Sequence, residues 1–347
     1  MNKSNYFNER DAINAKKLSR IISDDLPTFC EEFFIGIESN TATLTRLGYA
    51  YDLRIFFKYV VDELPKFAML KTNELTLFDL EKLQPYDIER YINYLSYYVD
   101  DKSNVVRNTQ RGKARKLSSI RSLFKYFIKK SKLEKDPTIS VSMPKIHDKE
   151  IIRLEENEIN DIIDIAESGA GLSKHQLAYH KNTQIRDMSI VTLLLGTGIR
   201  VSELVGINIE DVDFDNMSFL VTRKGGNRTI LYFSDEVAGY LYEYFCLRDS
   251  LARKGLSSTT ALFLSLQNKR ITTRAVENII KKYSKIATPL KNITPHKLRS
   301  TFGTQLYRKT GDIYIVADVL GHKDVNTTKK HYAAISDSSR RNASTIV

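Results

Sequence analysis

The chain has 347 residues, of which 42% are hydrophobic and 27% are charged, a composition that suits one or two globular domains. It carries 53 Lys and Arg residues against 42 Asp and Glu residues, and the resulting net charge of +11 favours a polyanionic partner such as nucleic acid. No apolar run reaches the roughly 18 residues that a membrane-spanning helix needs, and no signal-peptide pattern is present, so we expect no association with membranes.

The cysteine pattern bears on the compartment and on metal binding. The two cysteines, Cys30 and Cys246, have no C-x-x-C spacing, which argues against a disulfide framework and against a zinc site. We therefore expect a protein of the reducing cytoplasm. The sequence also lacks a carboxylate cluster that suits Mg²⁺ and a phosphate-binding loop, so we expect no metal and no nucleotide cofactor.

The first half of the sequence is predicted to be helical. Apolar residues recur at helical spacing over residues 44–59, a second helix follows Pro85, and a third extends over residues 117–128. We assign residues 40–136 to one helical domain that binds DNA. Residues 1–39 precede it as an N-terminal extension of no recognised type.

Basic residues are concentrated between Asp101 and Lys135, where twelve Lys and Arg residues are opposed by two acidic residues. An ordinary solvated helix face would mix the two signs more evenly. In the third helix the basic residues fall mostly between the apolar positions, so that one face packs while the other meets phosphates. We predict DNA contacts from Arg111, Lys113, Arg115, Lys116, Arg121 and Lys125.

A change of pattern separates the two halves of the chain. Pro137 and Pro144 interrupt the helical periodicity, and we predict a linker over residues 137–150. The second half, residues 151–347, opens with helices and then contains three short strand candidates separated by turns. These candidates, residues 212–214, 218–222 and 228–232, predict a small antiparallel meander, after which helical patterns resume.

Two basic residues of the second half lie close to glycines in the sequence. Arg200 ends the run G-T-G-I-R, in which the glycines favour a tight turn close to a ligand. Lys224 lies on the predicted turn between the second and third strands, where a hairpin tip can reach into DNA. Taken singly, these features favour an ordinary helix end with a surface arginine at Arg200 and a solvated turn at Lys224.

Three further candidates follow towards the C-terminus. His296 and Arg299 stand three positions apart in H-K-L-R, directly after a Thr-Pro pair that is typical of a helix start. Their spacing predicts one shared helix face, where a proton-exchanging group beside a permanent cation suits an anionic transition state. His322 follows in L-G-H, and Tyr332 lies ten residues beyond it. One tyrosine among 19 carries no functional signal by itself.

Taken together and in this order, the clusters resemble the tyrosine recombinase (phage integrase) family. Residues 200–204 are similar to the family's R-x-S-E-L run, and residues 320–332 are similar to its L-G-H, T-T and Y run. Three segments of the first half, residues 51–56, 87–92 and 119–127, resemble the core-binding domain of Xer-type members. The spacing of ten residues from His322 to Tyr332 departs from the nine of many Xer-like members, and Ala333-Ala334 replaces their common T-H.

The resemblance implies a mainly α-helical protein of two domains. Residues 40–136 would form a helical core-binding (SAM-like) bundle, and residues 151–347 an α+β catalytic domain with a small antiparallel sheet and a C-terminal tail. It also implies site-specific cleavage and rejoining of double-stranded DNA through a 3′-phosphotyrosine. The outcome would be integration, excision, inversion or dimer resolution, carried out by a tetramer on two recombination sites.

The resemblance further implies how the phosphate is attacked. Tyr332 would be the nucleophile, although a tyrosine hydroxyl of pKa about 10 is weak until a base accepts its proton. His296 is the candidate base. Arg200 and Arg299 would each fork onto the non-bridging oxygens of the phosphate.

The remaining residues would support that attack. Lys224 is the candidate acid for the leaving 5′-oxygen, and His322 would hydrogen-bond the phosphate. Glu203 would act behind them by orienting Arg200 or His296. The covalent phosphotyrosine conserves the energy of the broken phosphodiester, so the resemblance implies no requirement for ATP.

Two alternative functions share parts of this pattern. A regulatory relative that binds DNA without cleaving it would be expected to have lost a motif residue, whereas this sequence retains the full set. A type IB topoisomerase would use the same chemistry to relax supercoils, but the Xer-like first half disfavours it. A generic basic nucleic-acid binder would not be expected to carry four motifs in the family's order.

We expect DNA strand cleavage to proceed in EDTA without added nucleotide, because the sequence contains neither a metal-ligand pattern nor a phosphate loop. Denaturing gels of a labelled DNA substrate, with and without EDTA, measure this. Cleavage that is lost in EDTA and restored by Mg²⁺ would instead indicate a two-metal nuclease.

Overall fold

The computed structural model describes residues 6–100, 102–146, 152–223, 226–255, 259–322 and 325. Lys224, Tyr332 and the C-terminal tail lie outside these described residues. The chain divides into two compact units, residues 1–149 and 150–347. Among the helices that the structure describes, none has the length and hydropathy that a membrane crossing requires.

The first unit is built from helices, as the sequence predicts. Short 3-10 turns at residues 38–40, 65–67 and 72–74 connect its helices, and one antiparallel ribbon of two-residue strands, which the sequence pattern does not indicate, precedes its last helix. The elements are α1 (Tyr6–Asp25), α2 (Cys30–Gly36), α3 (Thr43–Glu63), α4 (Leu77–Glu81), α5 (Pro85–Tyr94), β1 (Tyr98–Val99), β2 (Val105–Val106) and α6 (Gln110–Lys129).

The core of the first unit lies between α3 and α6. Phe56 and Phe57 of α3 and Phe124 and Phe127 of α6 have no solvent exposure. Helices α1 and α2 also pack into this core, where the buried Phe33 of α2 belongs to the same apolar cluster. The segment that the sequence indicates as an extension therefore contributes to the core of the first unit through both of its helices.

The second unit combines helices with one small sheet. Its elements are α7 (Glu156–Ser168), α8 (Lys174–Thr197), α9 (Val201–Gly206), β3 (Val212–Asp213), β4 (Ser218–Thr222), β5 (Arg228–Tyr232), α10 (Asp235–Arg253), α11 (Thr273–Ala287), α12 (Pro295–Thr310) and α13 (Ile313–Leu320). The strands form an antiparallel sheet of order β3-β4-β5, in which Thr222 pairs with Arg228 at the turn end of the β4–β5 hairpin. The predicted fold class, a mainly helical chain with a small antiparallel meander, is confirmed.

Helix α8 forms the centre of the second unit, because its residues 187–194 are all buried. Ile190, Val191, Leu193 and Leu194 have no solvent exposure. A continuous apolar run of this kind is expected for a helix enclosed by neighbours, here α7, α10 and α12. The end of α8 is therefore fixed in space, and the G-T-G-I-R run begins there.

A buried polar network joins α8 to α11. The carboxylate of Asp187 on α8 is 1% exposed and accepts hydrogen bonds from Lys282 Nζ and Tyr283 Oη of α11, both at 2.8 Å. Arg186 Nη2 also donates to it at 2.7 Å. Paired in this way, the buried charge is satisfied, and it specifies the alignment of the two helices.

Candidate active site

The motifs that contain Arg200, Arg299 and His322 meet at the C-terminal end of α13. This helix ends at Leu320, and Gly321 adopts the left-handed conformation with φ 60° and ψ 49°. The backbone N–H of His322 then donates to the carbonyl of Ala317 at 2.9 Å and closes the helix end. The glycine of L-G-H is thus required by its φ angle, and it turns the chain so that the last carbonyls of α13 face neighbouring segments.

Arg200 reaches this helix end from the start of α9. Its Nη2 donates to the carbonyl of Gly321 at 3.1 Å, and its Nη1 donates to Glu203 Oε1 at 2.7 Å. The other oxygen of Glu203 accepts the backbone N–H of Arg200 at 3.1 Å. Because Glu203 is buried while the Arg200 side chain stays 33% exposed, the carboxylate anchors an arginine that still reaches solvent.

Arg299 reaches the same helix end from the second turn of α12. Its Nη1 donates to the carbonyl of Gly198 at 2.6 Å, and its Nη2 donates to the carbonyl of Leu320. Gly198 has φ 61° and ends α8, and a side chain there would collide with Phe302 at 2.4 Å. Arg299 therefore joins the end of α8 to the end of α13, and it is 5% exposed.

The two candidate histidines occupy different positions around these arginines. His296 lies one turn before Arg299 on α12 and is exposed, whereas Arg299 is buried. His322 is half-buried, and its backbone is fixed by the turn at the end of α13. The roles of base and phosphate ligand stay predictions for these residues, as do the roles of Lys224 and Tyr332.

Arg223 is a component that the sequence analysis missed. Its Nη2 donates to the carbonyl of Val319 at 2.9 Å and its Nη1 to that of Asp318 at 3.3 Å, so it binds the same end of α13. Burial lowers the pKa of this guanidinium; the Glu203 carboxylate raises it, and neighbouring Arg200 lowers it further. Its position directly before the candidate Lys224 is the one sequence signal that could have indicated it.

The predicted DNA-binding residues of α6 fall into two groups. Lys113 and Lys116 are buried, with Lys113 Nζ bonded to Ser96 Oγ at 2.6 Å. Arg121 donates to the carbonyl oxygens of Thr138 and Val141 at 3.1 and 2.6 Å, so it holds the segment after the helix. The residues with exposed side chains are Arg111, Arg115 and Lys125.

A buried carboxylate pairs with two basic residues of α6, the buried Lys116 and the more exposed Arg115. Asp52 of α3 is 1% exposed, and it accepts a hydrogen bond from Arg115 Nη2 at 2.7 Å. Lys116 Nζ lies 3.5 Å from the same carboxylate. An unpaired buried charge is costly, so both cations stabilise Asp52 and fix α6 against α3. Part of the positive charge of α6 is therefore structural.

Comparison with known proteins identifies the group to which this chain belongs. Residues 152–339, more than half of the chain, match the profile of the phage integrase family. Tyrosine recombinase XerC of Caldanaerobacter subterraneus subsp. tengcongensis is 31% identical over 344 residues, which cover 95% of this chain and 90% of the relative. The chain belongs to the phage integrase family of tyrosine recombinases. It is accordingly a site-specific DNA recombinase, as the sequence analysis predicts.

Other relatives agree with this assignment. Tyrosine recombinase XerD of Staphylococcus epidermidis is 30% identical over 317 residues, covering 90% of this recombinase and 96% of the relative. The XerH site-specific recombinase bound to palindromic difH substrate is 18% identical and has a TM-score of 0.64, covering 88% of this chain and 81% of that one. The Tn1549 transposon integrase in complex with circular intermediate DNA is 19% identical with a TM-score of 0.62, covering 90% and 98%. These structures show the shared fold.

Replacing Gly321 by alanine should abolish most strand cleavage by the recombinase. A Cβ at this position would lie 1.5 Å from Arg223 Nη1, so the guanidinium and the end of α13 must separate. A misplacement of about 1 Å at a reacting centre costs roughly 100-fold in rate, which sets the expected loss. The rate of covalent adduct formation on a nicked DNA site measures it.

Gly311→Ala is the matched control for this substitution. Gly311 also ends a helix with a positive φ, here 68°, but nothing lies within 4 Å of the Cβ that it would gain. Both variants share the left-handed strain of roughly 1–2 kcal/mol. Equal cleavage rates in the two variants would show that the close approach of Arg223 to Gly321 is unimportant for the reaction.

Proposed function

We propose that this recombinase cleaves and rejoins double-stranded DNA through a 3′-phosphotyrosine on Tyr332. The observation that carries the proposal is the convergence of Arg200 and Arg299 on the end of α13, because the L-G-H motif that ends this helix leads to Tyr332 ten residues later. Two guanidiniums held next to each other suit an anionic group with two free oxygens. A phosphodiester of DNA is such a group.

The arginines would act by stabilising charge in the transition state. Attack on phosphorus concentrates negative charge on the two non-bridging oxygens, and donors that are already in place stabilise it without reorganisation. Glu203 supports this by holding Arg200 through both the guanidinium and the backbone N–H. Arg299 is held by carbonyls of two different helix ends. His322, next to Gly321, would add a hydrogen bond to the phosphate.

Proton transfer would then balance the two bond changes. The Oη–phosphorus bond of Tyr332 forms while the bond from phosphorus to the 5′-oxygen breaks. His296 accepts the tyrosine proton, and Lys224 donates a proton to the leaving 5′-oxygen. Rejoining is the reverse of this step with a 5′-hydroxyl of another strand, so the phosphodiester energy is conserved and neither nucleotide nor metal is consumed.

Exposed cations of α6 support binding of duplex DNA. Arg111, Arg115 and Lys125 have exposed side chains on one helix, and phosphate contacts by such residues position a protein on DNA without reading its sequence. The solved XerH and Tn1549 integrase structures contain DNA, which is the ligand we propose here. Recognition of specific recombination sites would need further contacts to base edges.

The assembly that we propose is a tetramer on two DNA sites in the cytoplasm. Exchange between two duplexes cuts four strands, and one tyrosine per protomer then requires four protomers. A closed, symmetric arrangement is the usual form of such an assembly. The free thiols of Cys30 and Cys246 fit a reducing compartment.

Tyr332→Phe should abolish covalent capture of DNA and leave binding of the site nearly unchanged, because the variant loses only the nucleophilic oxygen. A suicide substrate nicked near the cleavage point, read on a denaturing gel, measures the covalent adduct. The matched control is Tyr314→Phe, which removes the hydroxyl of a tyrosine on α13 that is 70% exposed. An adduct that persists in Tyr332→Phe would exclude this nucleophile, and Tyr307 and Tyr314 would become candidates.

Neutralising Arg111 and Lys125 together should weaken DNA binding and reduce its dependence on salt. Each phosphate contact that is lost lowers the slope of log K against log salt by roughly 0.9. Fluorescence anisotropy of a labelled recombination site over a range of salt concentrations measures this slope. The control replaces exposed Lys16 and Lys17 of α1 by glutamine, which removes the same charge elsewhere. Equal slopes in both double variants would place the DNA contacts outside α6.

A further inference from the structure

The tip of the β4–β5 hairpin is attached to the end of α13 by one residue. The side chain of Arg223 binds the carbonyl oxygens of Asp318 and Val319, which belong to the last turn of α13. A Cβ at Gly321 would overlap this guanidinium, so Arg223 can occupy its observed position because residue 321 is a glycine. Among the residues that the structure describes, Arg223 therefore makes the side-chain contact between the hairpin tip and α13.

The backbone of Arg223 is also fixed by hydrogen bonds within the hairpin. Its N–H donates to the carbonyl of Asn227 at 2.8 Å, and its own carbonyl accepts the N–H of Gly226 at 3.1 Å. The strand register continues directly behind it, where Thr222 pairs with Arg228. Arg223 is thus held through its backbone by the hairpin and through its side chain by the helix.

We propose that Arg223 is a positioning residue that fixes the β4–β5 hairpin at the end of α13 and thereby acts on Lys224, the next residue in the chain. The inference rests on the proposed function of Lys224 as the proton donor to the 5′-oxygen. Arg200 and Arg299 bind the carbonyls of Gly321 and Leu320, directly after the two that Arg223 binds. Three guanidiniums, each from a different segment, therefore bind consecutive carbonyls at one helix end, and these contacts fix the three segments relative to one another.

The electrostatic setting of Arg223 explains why an arginine occupies this position. The last carbonyls of a helix have no partner within the helix and carry partial negative charge, so a forked cation satisfies two of them at once. An ammonium group is a point charge without that fork. Glu203 lies near enough to Arg223 to favour its charged form, which offsets the repulsion from Arg200.

The chemistry of the leaving group separates a role through Lys224 from a general structural role. A 5′-bridging sulfur leaves as a thiolate, whose conjugate acid has a pKa of about 8.5, so it needs no proton donor. A variant that fails only because the acid is misplaced should recover on this substrate. A variant that has lost stabilisation of the phosphate charge should not recover.

The experiment compares Arg223→Ala, Arg223→Lys, Lys224→Ala and Arg200→Ala on suicide substrates with a 5′-bridging oxygen or sulfur. We expect both Arg223 variants to lose about 10- to 100-fold in cleavage rate on the oxygen substrate, since general-acid catalysis contributes roughly 10²–10⁴-fold. On the sulfur substrate they and Lys224→Ala should recover to the wild-type rate, whereas Arg200→Ala should stay slow. Arg228→Ala, which removes an exposed guanidinium from the same hairpin, is the matched control and should cleave both substrates normally.

Hydrogen exchange provides a readout that needs no catalysis. In Arg223→Ala of the full-length protein, the amides of Gly226 in the hairpin and of His322 after α13 should exchange faster together. In Arg228→Ala the amide of His322 should keep its protection. This measurement also shows whether each variant is folded, since the amides of α8 should remain protected in all of them.

The outcomes distinguish the inference from the proposed function. Arg223 variants that cleave normally, or that are equally slow on both substrates, overturn the positioning role, and so does unchanged exchange at Gly226 and His322. If the wild-type protein forms no covalent adduct, the proposed function is overturned instead. In that case the hydrogen-exchange measurement by itself tests whether Arg223 holds the hairpin. Failure of sulfur to rescue Lys224→Ala, with rescue of Arg223→Ala, would overturn the link to Lys224.

Discussion

The terminal carbonyls of α13 organise the candidate active site. A helix leaves its last carbonyl groups without partners, and here guanidiniums from three distant segments satisfy them. Arg200, Arg223 and Arg299 bind the carbonyls of residues 318–321. The end of α13 therefore fixes three segments relative to one another: the start of α9, the β4–β5 hairpin and the N-terminal part of α12. Two of the carbonyls that they bind belong to the L-G-H motif of the recombinase family.

The same contacts prepare the site for its substrate. A carbonyl oxygen and a phosphate oxygen attract a guanidinium through the same directed hydrogen bonds, although a phosphate also carries charge. In the proposed reaction, arginines that are already held by carbonyls and by Glu203 would need little rearrangement when a phosphodiester enters. Gly198 and Gly321 make this possible, because each ends a helix with a positive φ and allows a large side chain to approach. In this recombinase the glycines of the motifs are thus as necessary for the geometry as the charged residues.

The basic helix α6 shows that net charge does not by itself define a binding surface. Asp52 holds Arg115 and Lys116, Lys113 is bonded to Ser96, and Arg121 caps two carbonyls. The spacing of these four cations along the helix predicts phosphate contacts for all of them, because spacing reports neither burial nor the partner on another helix. The proposed contacts with DNA consequently concentrate on the cations with exposed side chains.

The sequence alone determined the family, the mainly helical fold and the position of the small sheet, because motif order and local periodicity are written along the chain. The family resemblance also indicated Glu203 as a residue that orients Arg200 or His296, and the structure shows its contact with Arg200. Only the tertiary structure decided that α1 and α2 belong to the first core and that Arg223 joins the site. Both depend on contacts between residues far apart in sequence: α1 and α2 pack on helices that follow them, and Arg223 binds carbonyls about 95 positions away, where no local pattern records the partner.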